Sequence, residues 1–131
     1  MIEVLVWLAV GAGGPAAIDG YWLTADRTAI VRIAACGTKL CGTISRVLAQ
    51  GPKVPRTDVK NAHPALRSRQ LVGLQILSAF SRRGPDWVNG AAYDPKTGRT
   101  YKARLSTNPD GTLTVTGCVL FICRSQTWHR P

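Results

Sequence analysis

The groups in this chain with the most chemistry to offer are four cysteines, at positions 36, 41, 118 and 123, arranged as two C-x4-C pairs. A structural zinc site usually carries C-x2-C or similar spacings. These pairs, 77 positions apart from Cys41 to Cys118, fit that poorly. A thioredoxin-type redox pair needs C-x-x-C opening a helix, and both stretches are rich in β-formers. Disulfides remain, with three possible connectivities. Cys36 and Cys41 flank the tight turn "GTK", and Cys118 and Cys123 flank "VLFI". Hairpin strands bring such Cβ atoms within bridging range. The expected pairs are therefore Cys36–Cys41 and Cys118–Cys123, with no metal bound. Each closes a loop of about six residues and contributes about 2 kcal/mol.

Catalytic chemistry is thinly provided. A hydrolase needs a nucleophile with its base, or paired carboxylates. The only histidines are His63 and His129, and there is no G-x-S-x-G, H-E-x-x-H or glycine-rich phosphate loop. Beyond residue 17 the acids are Asp19, Asp26, Asp58, Asp86, Asp94 and Asp110. Asp94 and Asp110 belong to turn sequences, and Asp26 and Asp86 to loops. Asp58, with Asn61 and Arg69, is the one polar cluster that turn chemistry leaves unexplained. It reads as a loop pinned by an Asp–Arg pair and a capping Asn, as a polar rim over a cavity mouth, or as a catalytic group. No catalytic residue and no cofactor site is assigned, and the balance points away from an enzyme.

The elements that must position these residues are strands. Short apolar or alternating runs at 20–24, 29–36, 40–48, 71–80, 87–94, 100–106, 112–118 and 123–130 are separated by turn residues. Run 100–106 places Tyr101, Ala103 and Leu105 on one face and Thr100, Lys102 and Arg104 on the other. The turn "DPKTG" has Pro95 to fix φ and Gly98 to take φ > 0. Between the third and fourth runs, Pro52, Pro55 and Pro64 exclude a central strand. "NAHPALR" there suits one short helical turn, with Asn61 as its cap. Eight regularly spaced strands, with any helix confined to 58–67, predict an all-β sandwich or barrel. Eight is also the number that closes a sheet around either packed side chains or one small cavity.

The 131 residues fit one domain and carry 17 Lys and Arg against 7 Asp and Glu, a net charge of +10. No run of five or more basic residues occurs, so the charge implies attraction to anionic surroundings without a specific nucleic-acid role. Residues 1–17 differ from the rest. "VLVWLAVGAGG" followed by "PAA" has the length and small-residue ending of a signal peptide. It is too short to span a bilayer, which takes about twenty apolar residues. The expected organisation is a signal peptide over 1–17 and a single barrel domain over 18–131, with no transmembrane segment in the mature chain. The mature protein is expected to be a periplasmic or secreted monomer.

"GYWL" and "TWHR" add a structural signature. In lipocalin-like barrels a first-strand Gly-x-Trp lays an indole across the barrel bottom, and an arginine from the last strand packs on it. Gly20, Trp22, Trp128 and Arg130 are the residues that would do so here. The ordered set "GYW", "CGTKLCG", "NAHPALRSRQLVG", "WVNGAAYDPKTGRTYKARL", "LTVTGCV" and "CRSQTWHR" resembles domain-of-unknown-function family 2147 of exported bacterial proteins. The chain departs from the pattern at Gln70 and Leu71, where many members have proline after R-x-R. The resemblance implies an eight-stranded antiparallel lipocalin-like barrel in the periplasm or outside the cell, and it implies no activity.

Three classes of function follow. In the first, the barrel binds a small amphipathic or anionic ligand. Trp22, Trp87, Tyr93 and Tyr101 then form apolar walls, and Asp58, Asn61, Arg67 and Arg69 a polar rim. In the second, it is an envelope structural, stress or inhibitor-like module. In the third, it is an enzyme of unassigned type. A ligand-sized cavity favours the first, and a filled interior with an exposed apolar patch favours the second.

Overall fold

The computed structural model describes residues 18–131, so the expected export segment over 1–17 lies outside the described residues. Eight antiparallel strands follow in order: β1 (Gly20–Leu23), β2 (Ala29–Cys36), β3 (Lys39–Val47), β4 (Gln75–Arg83), β5 (Asp86–Asp94), β6 (Arg99–Thr107), β7 (Leu113–Val119) and β8 (Ile122–Trp128). Each pairs with its neighbour in the sequence, giving one up-and-down sheet. Among the described residues the only helical element is a 3-10 turn, Pro64–Leu66.

The sheet curls until its two edges meet. Register shifts within β2–β3, β3–β4 and β5–β6 mark the bends, and Ala79 and Asn89 sit at φ 63° and 58° within β4 and β5. Such bulges bend a strand and increase its twist. Among the described residues closure is confined to one antiparallel bridge, Leu23 with His129, in which the Leu23 N–H donates to the His129 carbonyl at 2.6 Å and the reverse bond is 3.1 Å. β1 has only four residues. The upper part of β8 therefore pairs with β7 alone among the described residues, and every β8 residue before Trp128 is exposed.

Alternation works as expected on β6, where Ala103 and Leu105 are buried while Lys102 and Arg104 are exposed. Trp22, Val31, Ile33, Leu40, Phe80, Leu105 and Leu113 are all buried and fill the end of the barrel where β1 starts. Trp22 anchors that end. Its Nε1 donates to the Ile18 carbonyl at 2.9 Å, and the Arg130 guanidinium lies 3.8 Å from the ring centroid. Arg130 Nη1 also donates to the Tyr21 carbonyl at 3.1 Å. Gly20 makes room for this: it has φ +114°, and a Cβ there would stand 2.9 Å from Arg130 Nη1. A cation stacked on indole contributes about 0.5–2 kcal/mol.

Two local expectations are corrected. The fourth strand begins at Gln75, not at Leu71. Residues 71–74 form a turn in which Gly73, at φ +91°, sends its N–H to the Ile44 carbonyl. Asn61 does not cap the helical turn. The N-cap is His63, with no side-chain capping bond. Asn61 Oδ1 instead accepts the His63 N–H at 2.8 Å, an Asx turn that leaves its amide nitrogen for another partner.

Both disulfides form as expected, Cys36–Cys41 and Cys118–Cys123, with Cα separations of 5.8 and 4.0 Å. Cys118 and Cys123 face each other in register. Cys36 and Cys41 bridge diagonally, since their register partners are Lys39 and Ala34.

Candidate functional site: an open cavity under a pinned loop

In an up-and-down sheet alternate turns share an end, so the β1–β2, β5–β6 and β7–β8 turns and the long 48–74 connection all gather at the end opposite Trp22. They surround a cavity of about 930 Å³. Its walls are the inward side chains of the upper strands, among them Ile44, Ile76, Leu77, Tyr101, Val115 and Trp128. Typical small-molecule pockets occupy about 300–1,000 Å³ with mostly apolar linings.

The rim is basic. Lys60, Lys96, Arg99 and Arg124 reach it, against Asp26 and Asp94. Both acids are committed. Asp26 pairs with Lys96 and accepts bonds from Thr24 Oγ1 and from the Thr28 N–H and Oγ1. Asp94 accepts the Lys96 N–H and Thr97 Oγ1 within its own turn. Lys60, Arg99 and Arg124 have no carboxylate partner among the described residues.

The 48–74 connection is held over this end by a polar network centred on Asp58, which is fully buried. Tyr93 donates its hydroxyl to Asp58 Oδ1 at 2.6 Å. Asn61 Nδ2 and Arg69 Nε donate to Oδ2 at 2.8 and 3.0 Å. The backbone doubles the tie: the Asp58 N–H donates to the Arg69 carbonyl and the Leu71 N–H to that of Arg56. Arg67 Nε donates to the Asn61 carbonyl at 2.7 Å. Burial alone would raise the Asp58 pKa, but three donated hydrogen bonds and the Arg69 charge hold it below the ordinary aspartate value. Burial pushes the Tyr93 phenol up to about 12, helped by its bond to the Asp58 carboxylate and by that charge. Gly98, at φ +75°, lets the β5–β6 turn lie against the loop; a Cβ there would collide with the Lys60 carbonyl.

The residues expected to form a site are thus divided among three places. Tyr93 and Tyr101 line the cavity. Asp58, Asn61, Arg67 and Arg69 form the pin above it, with Tyr93 shared between pin and cavity. Trp22 and Trp87 lie outside the lining, Trp22 at the packed end and Trp87 buried beneath Arg82, whose guanidinium is 5.5 Å from its ring. Trp128, read from sequence as structural only, is both buried and part of the cavity wall. Ile44, Ile76 and Val115 also line the cavity. Their alternation marks them as inward-facing, but it carries no sign that this half of the interior is open. Among the described residues no three His, Cys, Asp or Glu side chains gather as a metal site.

The family model for uncharacterised proteins conserved in bacteria, DUF2147, matches residues 20–130. The chain belongs to the DUF2147 family. Among solved structures it resembles protein HP1028 from the human pathogen Helicobacter pylori, described as belonging to the lipocalin family. The TM-score is 0.76 at 24% identity, over 87% of this chain and 82% of that one. No match is found among curated protein sequences. The likeness fixes the DUF2147 barrel as lipocalin-like in fold. Among the described residues, no helix is long and apolar enough to cross a membrane.

Proposed function

We propose that this DUF2147 protein is a non-enzymatic binder of a small amphipathic molecule, working as a monomer in the bacterial envelope or outside the cell. The cavity carries the reading: about 930 Å³, apolar within and edged by Lys60, Arg99 and Arg124. An apolar tail fits the interior, and an anionic or polar head fits the rim, where cations without carboxylate partners attract negative charge. The Asp58 network does not act on the ligand in this reading. Its carboxylate is buried, ionised and fully engaged, so it serves to hold the loop that roofs the site.

Export is supported by two disulfides, which persist only in oxidising compartments, and by the signal-like composition of residues 1–17. Amino-terminal sequencing of protein from the envelope fraction tests it; protein that still begins at Met1 would end it.

The ligand-binding test is native mass spectrometry of protein purified from its own cells, with titration of a fluorescent fatty-acid analogue. One bound probe per chain is expected, and Val115→Trp, which projects into the cavity, should abolish it while the protein stays folded. Equal binding by both proteins would refute the reading.

A further inference from the structure

The tip of the β7–β8 hairpin breaks two local rules at once. Val119, Leu120, Phe121 and Ile122 are consecutive, with relative exposures of 47%, 88%, 90% and 69%. Single exposed apolar residues are ordinary, but a run of four at a hairpin tip is a contiguous patch. Val119 pairs with Ile122, so the turn itself is Leu120–Phe121. Leu120 is held at φ 56°, in the left-handed region where two-residue hairpin turns normally place Gly or Asn. Neither choice helps a hairpin that only has to fold in water. Departures of this kind point to a functional demand on the segment.

We propose that this finger docks the protein on an anionic lipid surface by inserting Leu120 and Phe121 into the interfacial region. The Cys118–Cys123 bridge lies directly below the tip, in register, so the apolar side chains are presented without further ordering of the strands. Cations flank its base. Lys102 is the register partner of Cys118, and Arg124 is that of Gly117. Both are exposed. Arg124 follows Ile122 by two strand residues, roughly 7 Å along the strand. That interval matches the roughly 5–10 Å over which an interfacial element buries its apolar face beneath the headgroups. The chain's +10 charge favours an anionic surface and opposes the other occupant, the equally basic rim of a second copy. Val119, Leu120 and Ile122 also line the cavity mouth, so docking would turn that mouth toward the bilayer. The docking itself does not depend on what the cavity holds.

The test is co-sedimentation of the protein, as isolated from its own cells, with vesicles of phosphatidylglycerol and phosphatidylethanolamine and with vesicles of phosphatidylcholine alone. The parent should partition onto the anionic vesicles. Phe121→Ser and Leu120→Gly should each lower that partition by about tenfold or more, the loss from removing one buried large apolar side chain. Leu120→Gly is the sharper variant, because glycine suits φ 56°. Its thermal midpoint should hold or rise while its membrane binding falls. Arg124→Gln should weaken binding to the anionic vesicles, and Val115→Trp should leave it unchanged, which separates failure here from failure of the ligand reading. Absence of parent binding, equal partition of parent and variants, or a concentration-dependent dimer dissolved by Phe121→Ser would each overturn the proposal.

Discussion

The chain contains two disulfide-closed hairpins at opposite ends of one barrel, and they solve the same problem differently. In each, two cysteines five positions apart close a two-residue turn. The β2–β3 turn is Gly37–Thr38, followed by Lys39. Glycine takes the positive φ, +63°, and the exposed side chains are polar. The β7–β8 turn puts Leu120 at a nearly equal φ of 56°, with Phe121 beside it in solvent. The first tip is what a stable hairpin in water calls for. The second departs from it in both backbone and side chains, at the end where the barrel is open. The Trp22 end is packed and closed, and the Leu120 end is hollow, basic and apolar at its tip. One staple closes a structure, and the other supports a surface.

The largest effect should come at the packed end. Trp22→Ala removes a buried indole with its hydrogen bond and its stacked guanidinium, and should lower unfolding stability by about 3–5 kcal/mol in a denaturant titration. Opening the staples comes next. Serine at both Cys36 and Cys41, or at both Cys118 and Cys123, should cost about 2 kcal/mol each. Vesicle partition should fall only with the second pair. A similar fall with the first would remove the functional difference between the hairpins.

Tyr93→Phe should cost about 1–3 kcal/mol, since it leaves Asp58 Oδ1 without a donor. It should also reshape the pH profile. Asp58 is held below its ordinary value of 3.8, so its contribution is full above that pH and is lost as pH falls through the lower folded value. Tyr93 is raised from 10.0 to about 12, so its contribution is full below pH 10.0 and is lost as pH climbs toward about 12. The phenylalanine variant should lack the alkaline loss in thermal melts recorded across that window. The smallest effect on stability belongs to Phe121→Ser, within about 0.5 kcal/mol of the parent, because the ring touches mainly solvent. A large destabilisation there would mean that the tip packs against the barrel.

Strand order, turn chemistry and disulfide pairing were legible in the sequence because each rests on neighbours in the chain. Alternation set the faces of β6, Gly98 marked its turn, and each cysteine pair spans a single hairpin. The Asp58–Asn61–Arg69 cluster was also visible, through carboxylate, amide and guanidinium falling within twelve residues. Its fourth member was not. Tyr93 lies 35 positions from Asp58, and only the curl of the sheet brings the phenol under the loop. Curvature likewise decided which tryptophan does what. Gly-x-Trp marked Trp22 for the packed end, but Trp87 and Trp128 carry no such distinction in sequence, and one lies outside the cavity while the other forms part of its wall. Period-two patterning tells a side chain to face inward but carries no information on whether atoms stand opposite it. Filled and hollow halves of a barrel share the same local pattern, and the volume between them is set by long-range closure alone.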